Sequence, residues 1–476
     1  MIAALVSCEI ILLALSAQHA SHMPPAMSAL AFAAGAFVPF IIVILLLSKT
    51  REVNRTMFII LAGAVCARIL LLFFPMSLSD DAYRYVWDGR VLVSGTNPYE
   101  HPPAARELMQ LRDEAWKKIN HPDVGTVYPP FAQLYFALTV FLWPAVSAFR
   151  LWAAVFDMAV IAVIITAVNG SLKPPWNRRS TLAAAAYALC PVCIMETALA
   201  GHIEPLAGLL LVSGLVYAQK RKRISALMIA LAGSVKLLPL VTWPVVSRRV
   251  RSSWIAVPLI TLALYLPFSG AGFGMFEGTD AMARRWRNNE GVFRVLEKAA
   301  AGVLAAVDPE AVKNGFVHFK WLDNTAAGLE NGFFDLHKSR TQQSTLLPGA
   351  FTVQDFSAAV AKLAGVIMIT ALMIFFTVRK TQPIKAGAFL MCAVVMLLPV
   401  IHPWYLLLFA PLMAAAGYYS WLWLAFTMPF SYLALDGWLT SAVWEIPAWV
   451  QPVEYVPFFT FLIIEILLRE KRRNSV

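Results

Sequence analysis

Apolar runs of nearly bilayer length recur from one end of this chain to the other, among them Met57–Pro75, Ser357–Val378 and Ala386–Ile401. Several approach the roughly 20 residues that an α-helix needs to cross a hydrocarbon core, and some fall short of it. Only 14% of the residues are charged, against about a quarter in an ordinary soluble domain. The expectation is an all-α polytopic membrane protein with a bundle of about 12–14 transmembrane helices.

The formal net charge of +11 would suit a nucleic-acid partner, but its distribution does not. Lys and Arg gather in short connectors that are nearly free of acid: Lys49/Arg51/Arg55, Lys173/Arg178/Arg179, Lys220–Arg223, Arg248/Arg249/Arg251, Arg379/Lys380/Lys385 and Arg469–Arg473. That bias marks cytoplasmic loops. It places both termini in the cytoplasm and two long mixed-charge segments, 77–149 and 269–356, on the opposite face. The expected partners are therefore membrane lipids and no nucleic acid.

Spans are expected at 2–18, 28–48, 57–76, 150–168, 181–200, 203–219, 254–268, 357–378, 386–401, 403–418, 420–435 and 454–469. The first resembles a signal peptide but lacks a basic start, and reads as an uncleaved span. Ile224–Ser247 has basic residues on both flanks and carries Pro239 and Pro244, so it reads as a re-entrant or bent helical pair. In the outer segments, Ala104–Ile119 and the stretch from Arg284 to Val307 read as helical, and the apolar piece after Pro129–Pro130 as an interfacial helix. The whole, 1–476, reads as one domain. No internal repeat is visible, which counts against carriers built from duplicated halves. Cys190 and Cys193 have redox-motif spacing without any basic neighbour to stabilise a thiolate, and read as buried small hydrophobes.

Two adjacent carboxylates, Asp80 and Asp81, follow the run Met57–Pro75 and precede Tyr83, Tyr85 and Trp87. Near the C-terminus of that run, helix electrostatics would disfavour them; an acidic pair that marks the exit to water is the ordinary reading, while the aromatic neighbours suggest a group held at the interface. Asp88, with Arg84 or Arg90, is expected to pin the loop. Lys236 lies within a membrane segment, where an ionisable residue is costly and functional by default. An anion arriving inside the membrane, such as a lipid phosphate, would suit it. Arg285 and Arg287 offer a second set of phosphate donors from the outer side. His402 stands at an outward turn, where a histidine is ordinarily structural.

The order Asp81-Ala-Tyr83, Asp88-Gly-Arg90, Gly95-Thr-Asn97-Pro-Tyr99 and Tyr128-Pro-Pro resembles the first outer loop of GT-C superfamily glycosyltransferases. It is most like bacterial polyprenyl-phosphate-mannose-dependent mannosyltransferases, and is similar to the first mannosyltransferase of GPI-anchor assembly. Gly201-His202-Ile-Glu204-Pro, Val235-Lys236-Leu-Leu-Pro, Trp286-Arg-Asn-Asn289 and His402-Pro-Trp404-Tyr405 resemble later elements of such enzymes in the same order, over most of the chain.

The resemblance implies transfer of a hexose, mannose first, from a polyprenyl-phosphate donor to an extracytoplasmic glycan or glycolipid. Asp81 would be the general base, with Asp80 second; His402 would orient Asp81 or the donor phosphate. Lys236, Arg285 and Arg287 would meet the phosphate, while His202, Glu204, Tyr83, Asn97, Tyr99, Tyr128, Trp404 and Tyr405 would shape the sugar site. Direct displacement implies inversion. Tyr128 stands directly before the prolines, where some related enzymes carry a basic residue, so the phosphate must be met elsewhere. No cofactor is implied. Asp80, Asp81 and Glu204 are the carboxylates a divalent ion would call on, but neighbouring side chains on an extended loop point apart, and no metal cage is expected. The alternatives are a lipid-linked sugar flippase or transporter, a non-catalytic assembly subunit, and an envelope polysaccharide polymerase or ligase.

Overall fold

The computed structural model describes residues 1–19, 25–76, 79–218, 222–318, 350–441 and 443–474. Among these the chain is all-α as expected, save for a short antiparallel ladder of Phe316–His318 against Ala350–Thr352. The Gly/Asn-rich part of the second outer segment lies outside the described residues.

Among the described residues, five helices have the length and apolarity to cross a membrane: Val53–Leu71, Val146–Asn169, Ser253–Arg284, Val353–Val378 and Val450–Arg472. The pair Arg178–Ala188 and Pro191–Leu199, bent by 57°, makes a sixth if taken as one span. Shorter apolar helices of 10–17 residues complete the bundle. The expected set of continuous spans is thus more broken than the apolar runs suggest, and proline is one cause. Pro191 lacks the N–H that would carry the preceding helix onward, and the bend falls just before it. The run at 420–435 likewise divides into Trp421–Thr427, a 3-10 turn Met428–Tyr432 containing Pro429, and Leu433–Ser441.

The bent pair expected at 224–247 takes the form of Lys222–Val235 followed by Leu238–Thr242 and Trp243–Ser247, so Lys236 sits at the break. Three expectations fail. The span expected to end at 268 continues through a kink at Gly272 as far as Arg285. Ala104–Ile119 is not a helix but two 3-10 turns, Arg106–Leu111 and Trp116–Lys118. Residues 286–291 are also non-helical. The Asn288 amide donates to the Pro399 carbonyl (3.1 Å) and its own carbonyl accepts from Ile401 (2.8 Å), a strand-like bridge that holds this stretch extended. The helix begins only at Val292.

Buried cations strut the bundle. Arg68 donates to Asp157 (2.7 Å) and to the Ala188 carbonyl (2.9 Å), and the Tyr187 hydroxyl donates to the same Asp157 (2.6 Å). Arg150 donates to the Leu71 carbonyl (2.6 Å), where the third helix ends, and to the Ala198 carbonyl (3.0 Å). Carbonyls freed at helix ends in a low-dielectric interior need such donors. The result is that the end of Val53–Leu71 and the turn at 198–204 are tied to one another. Cys190 and Cys193 are buried and unbridged.

Candidate active site

The two aspartates do not lie at the end of the preceding helix, which stops at Leu71; they start the next one, Asp81–Val93. Asp80 is its N-cap and Asp81 its first residue. This reverses the electrostatic reading from sequence, because an N-terminus favours negative charge. The helix is locked by Asp88, which accepts from Arg84 (2.8 Å), the Thr126 hydroxyl (2.5 Å) and Gln133 (3.2 Å). Arg90 is committed instead to Asp113 (2.7 Å).

The two carboxyls are pushed in opposite directions. Asp80 accepts from Asn120 (2.6 Å), but burial, followed by the neighbouring charge of Asp81, raises it to about 7. Burial also works against the Asp81 carboxylate, yet the His202 imidazole, with His402 and Lys236 further out, holds it below the usual range.

His202 is presented by a tight turn. Gly201 has φ +78°, and a Cβ there would meet Arg150 Cγ at 2.8 Å, so the turn requires glycine. A π-helical turn, Met195–Leu199, leads into it, and the His202 amide closes back onto the Glu196 carbonyl (3.1 Å). The ring Nδ1 stands 3.6 Å from Asp81 Oδ2, and Nε2 stands 3.2 Å from Glu196 Oε2.

Trp404 is sandwiched between two histidines, with His202 at 4.1 Å and His402 at 4.2 Å between ring centroids. His402 is half-buried, and its loss of solvent pushes it down to about 3, so it is a neutral ring whose Nδ1 meets Asn288 Nδ2 at 2.9 Å. Lys236 bonds Glu204, and its ammonium lies 3.9 Å from the centre of the Tyr405 ring. Tyr128 packs edge-on to Tyr85 (5.1 Å), and both lie within electrostatic reach of Asp81 and Glu204.

Of the residues singled out from sequence, the fold therefore gathers Asp81, His202, Glu204, Lys236, His402, Trp404 and Tyr405, with Asp80 and Tyr128 at the edge. Four stand apart from this cluster. Tyr83 packs against Lys118 (5.2 Å). Asn97 donates to Glu100 (3.2 Å) and to the Phe268 carbonyl (3.1 Å), which docks the first outer segment on the kinked helix. Tyr99 holds the Tyr128 carbonyl through its hydroxyl (2.6 Å). Arg287 is occupied by Glu290 (3.2 Å) and Glu297 (2.5 Å), so its guanidinium has its own counter-charges. The Arg285 side chain lies outside the described part of the structure. Asp80, Asp81 and Glu204 do not converge as a trio: Asp80 turns to Asn120 and Glu204 to Lys236.

Sequence reasoning passed over Glu196, Tyr432 and Asn288. Glu196 was findable, since a carboxylate inside an apolar run is flagged by the same rule that flagged Lys236.

A helical membrane bundle that brings a carboxylate, a lysine and stacked aromatic rings together is consistent with a polytopic membrane glycosyltransferase. Residues 4–250 match the family model described as alpha-(1->6)-mannopyranosyltransferase, N-terminal domain, and the chain belongs to that family of mannosyltransferases. The matched region contains Asp80, Asp81, Glu196, His202, Glu204 and Lys236; the His402–Tyr405 turn lies beyond it. No curated protein and no solved structure matches the chain.

Proposed function

We propose that the chain transfers mannose from a polyprenyl phosphate to a hydroxyl of an extracytoplasmic mannose-bearing glycan or glycolipid, forming an α-1,6 linkage with inversion. The observation that carries this reading is the meeting of an ionised carboxylate, Asp81, with the membrane-embedded cation Lys236 in one aromatic-walled cluster. Asp81 removes the acceptor's hydroxyl proton. The acceptor oxygen forms its bond to the anomeric carbon as the bond from that carbon to the phosphate oxygen breaks. The lipid phosphate leaves with the electron pair, and the proton stays on Asp81.

A leaving phosphate needs charge stabilisation more than a proton. Lys236 supplies it, reached along the membrane by the donor's lipid tail. Arg287 is already neutralised by two carboxylates, so the weight falls on the lysine. A β-linked donor gives an α-linked product by direct displacement.

The site faces outward because the short connectors are basic and acid-poor, which marks them as cytoplasmic. Right-side-out vesicles holding the protein and a β-mannosyl phosphoryl polyprenol should therefore glycosylate a membrane-impermeant α-mannoside added outside. The new anomeric centre should read as α by NMR. Product formed only after permeabilisation would put the site on the other face, and no product from the mannosyl donor would overturn the reading.

A further inference from the structure

Glu196 has no part in the displacement just described, yet it is buried completely beside it. Its Oε1 accepts from the Tyr432 hydroxyl (2.9 Å), and its Oε2 faces His202 Nε2 at 3.2 Å. The opposite ring nitrogen faces Asp81 at 3.6 Å, and Trp404 covers a face of the ring. Asp80, His402 and Lys236 also act on this imidazole or on Asp81, and Asp81 interacts in turn with His121, Tyr85, Tyr128, Tyr405 and Tyr432. A neutral imidazole has one N–H and can donate to one carboxylate; an imidazolium donates to both.

We propose that Glu196, clamped by Tyr432, is a positioning residue for Asp81: it keeps His202 as an imidazolium ion-paired with both carboxylates, which holds the charge of Asp81. The inference rests on Asp81 being the base. Before transfer, the charges of Asp81, His202 and Glu196 sum to one negative; after Asp81 takes the acceptor's proton they sum to zero, with the imidazolium still balanced by Glu196. Without Glu196 the same proton transfer would strand an unpaired buried cation, which is strongly unfavourable. Asp81 would then be a poorer base at the moment it is needed. Burial works against a charged His202, but the two carboxylates more than offset it and raise the ring to about 9.

The test uses the full chain in detergent, with a β-mannosyl phosphoryl polyprenol and octyl α-mannoside. Glu196→Gln should lower kcat by roughly tenfold or more, on the scale of a weakened general base, with donor KM nearly unchanged. The alkaline limb of the wild-type profile should fall near the His202 value of about 9. In Glu196→Gln it should move to lower pH, because a carboxylate that favours the imidazolium has gone. Tyr432→Phe keeps the charge and should give a smaller change in the same direction; it decides alone if Glu196→Gln does not fold. Adding Glu196→Gln to Asp81→Asn should cost nothing further. Unchanged kcat, or a loss of kcat with the alkaline limb unmoved, would overturn the proposal. An active Asp81→Asn enzyme would instead sink the assignment of Asp81 as base.

Discussion

A lysine inside a membrane segment needs a counter-charge, and Lys236 finds it in Glu204, whose carboxylate is buried. Lys236→Met alone should therefore destabilise the protein by about 3–5 kcal/mol, because it strands Glu204. The informative variant pairs Lys236→Met with Glu204→Gln, which removes both charges. It should remain monodisperse while its KM for the polyprenyl-phosphate donor rises by roughly tenfold to a hundredfold, as expected for a lost charge-assisted bond. A wild-type donor KM in that double variant would make the pair a packing device. The sequence showed the lysine because charge in an apolar run is conspicuous. It did not show the partner, which lies 32 residues away on another helix. Arg287 shows the converse: its charge was visible, but not the two carboxylates that neutralise it.

Helices such as Val146–Asn169 and Val353–Val378 were the more legible elements, since their apolar runs are long and uninterrupted. The outer segments were less so. Residues 286–291 have a helix-compatible composition, but their backbone is claimed by Pro399 and Ile401, a long-range contact that local sequence does not encode. The helix that carries Asp81 illustrates how close packing sets the site. Asp81–Val93 crosses Pro130–Leu142 at Gly89, where an added Cβ would lie 2.5 Å from the Phe136 carbonyl oxygen and 2.8 Å from Val140 Cγ2. The backbone atom cannot yield cheaply, so Gly89→Ala should cost about 1–3 kcal/mol by overpacking. Thermal unfolding in detergent checks this, and an unchanged midpoint would contradict the packing described. Because the shift would also move the helix that bears Asp81, kcat should fall with it.

At the scale of the whole molecule, the order of motifs along the chain indicated a mannosyltransferase before any contact was known, and the family match over residues 4–250 agrees. What only the folded chain reveals is the convergence: elements at 80–81, 196–204, 236 and 402–405 meet around one imidazole and one lysine. On the proposed mechanism Asp81, not Asp80, takes the proton. The two differ in a measurable way, since Asp80 is raised to about 7 while Asp81 is held below its usual range. A base must be ionised to act, so its rate is lost as pH falls through its own pKa. The decisive measurement is the pH profile of the transfer rate at saturating donor for the wild type, Asp80→Asn and Asp81→Asn. With Asp81 as base, the wild-type rate stays level as pH falls through about 7, Asp80→Asn keeps most activity, and Asp81→Asn loses about 10²–10⁴-fold. A rate that falls away below about 7, vanishes in Asp80→Asn and survives in Asp81→Asn would contradict it.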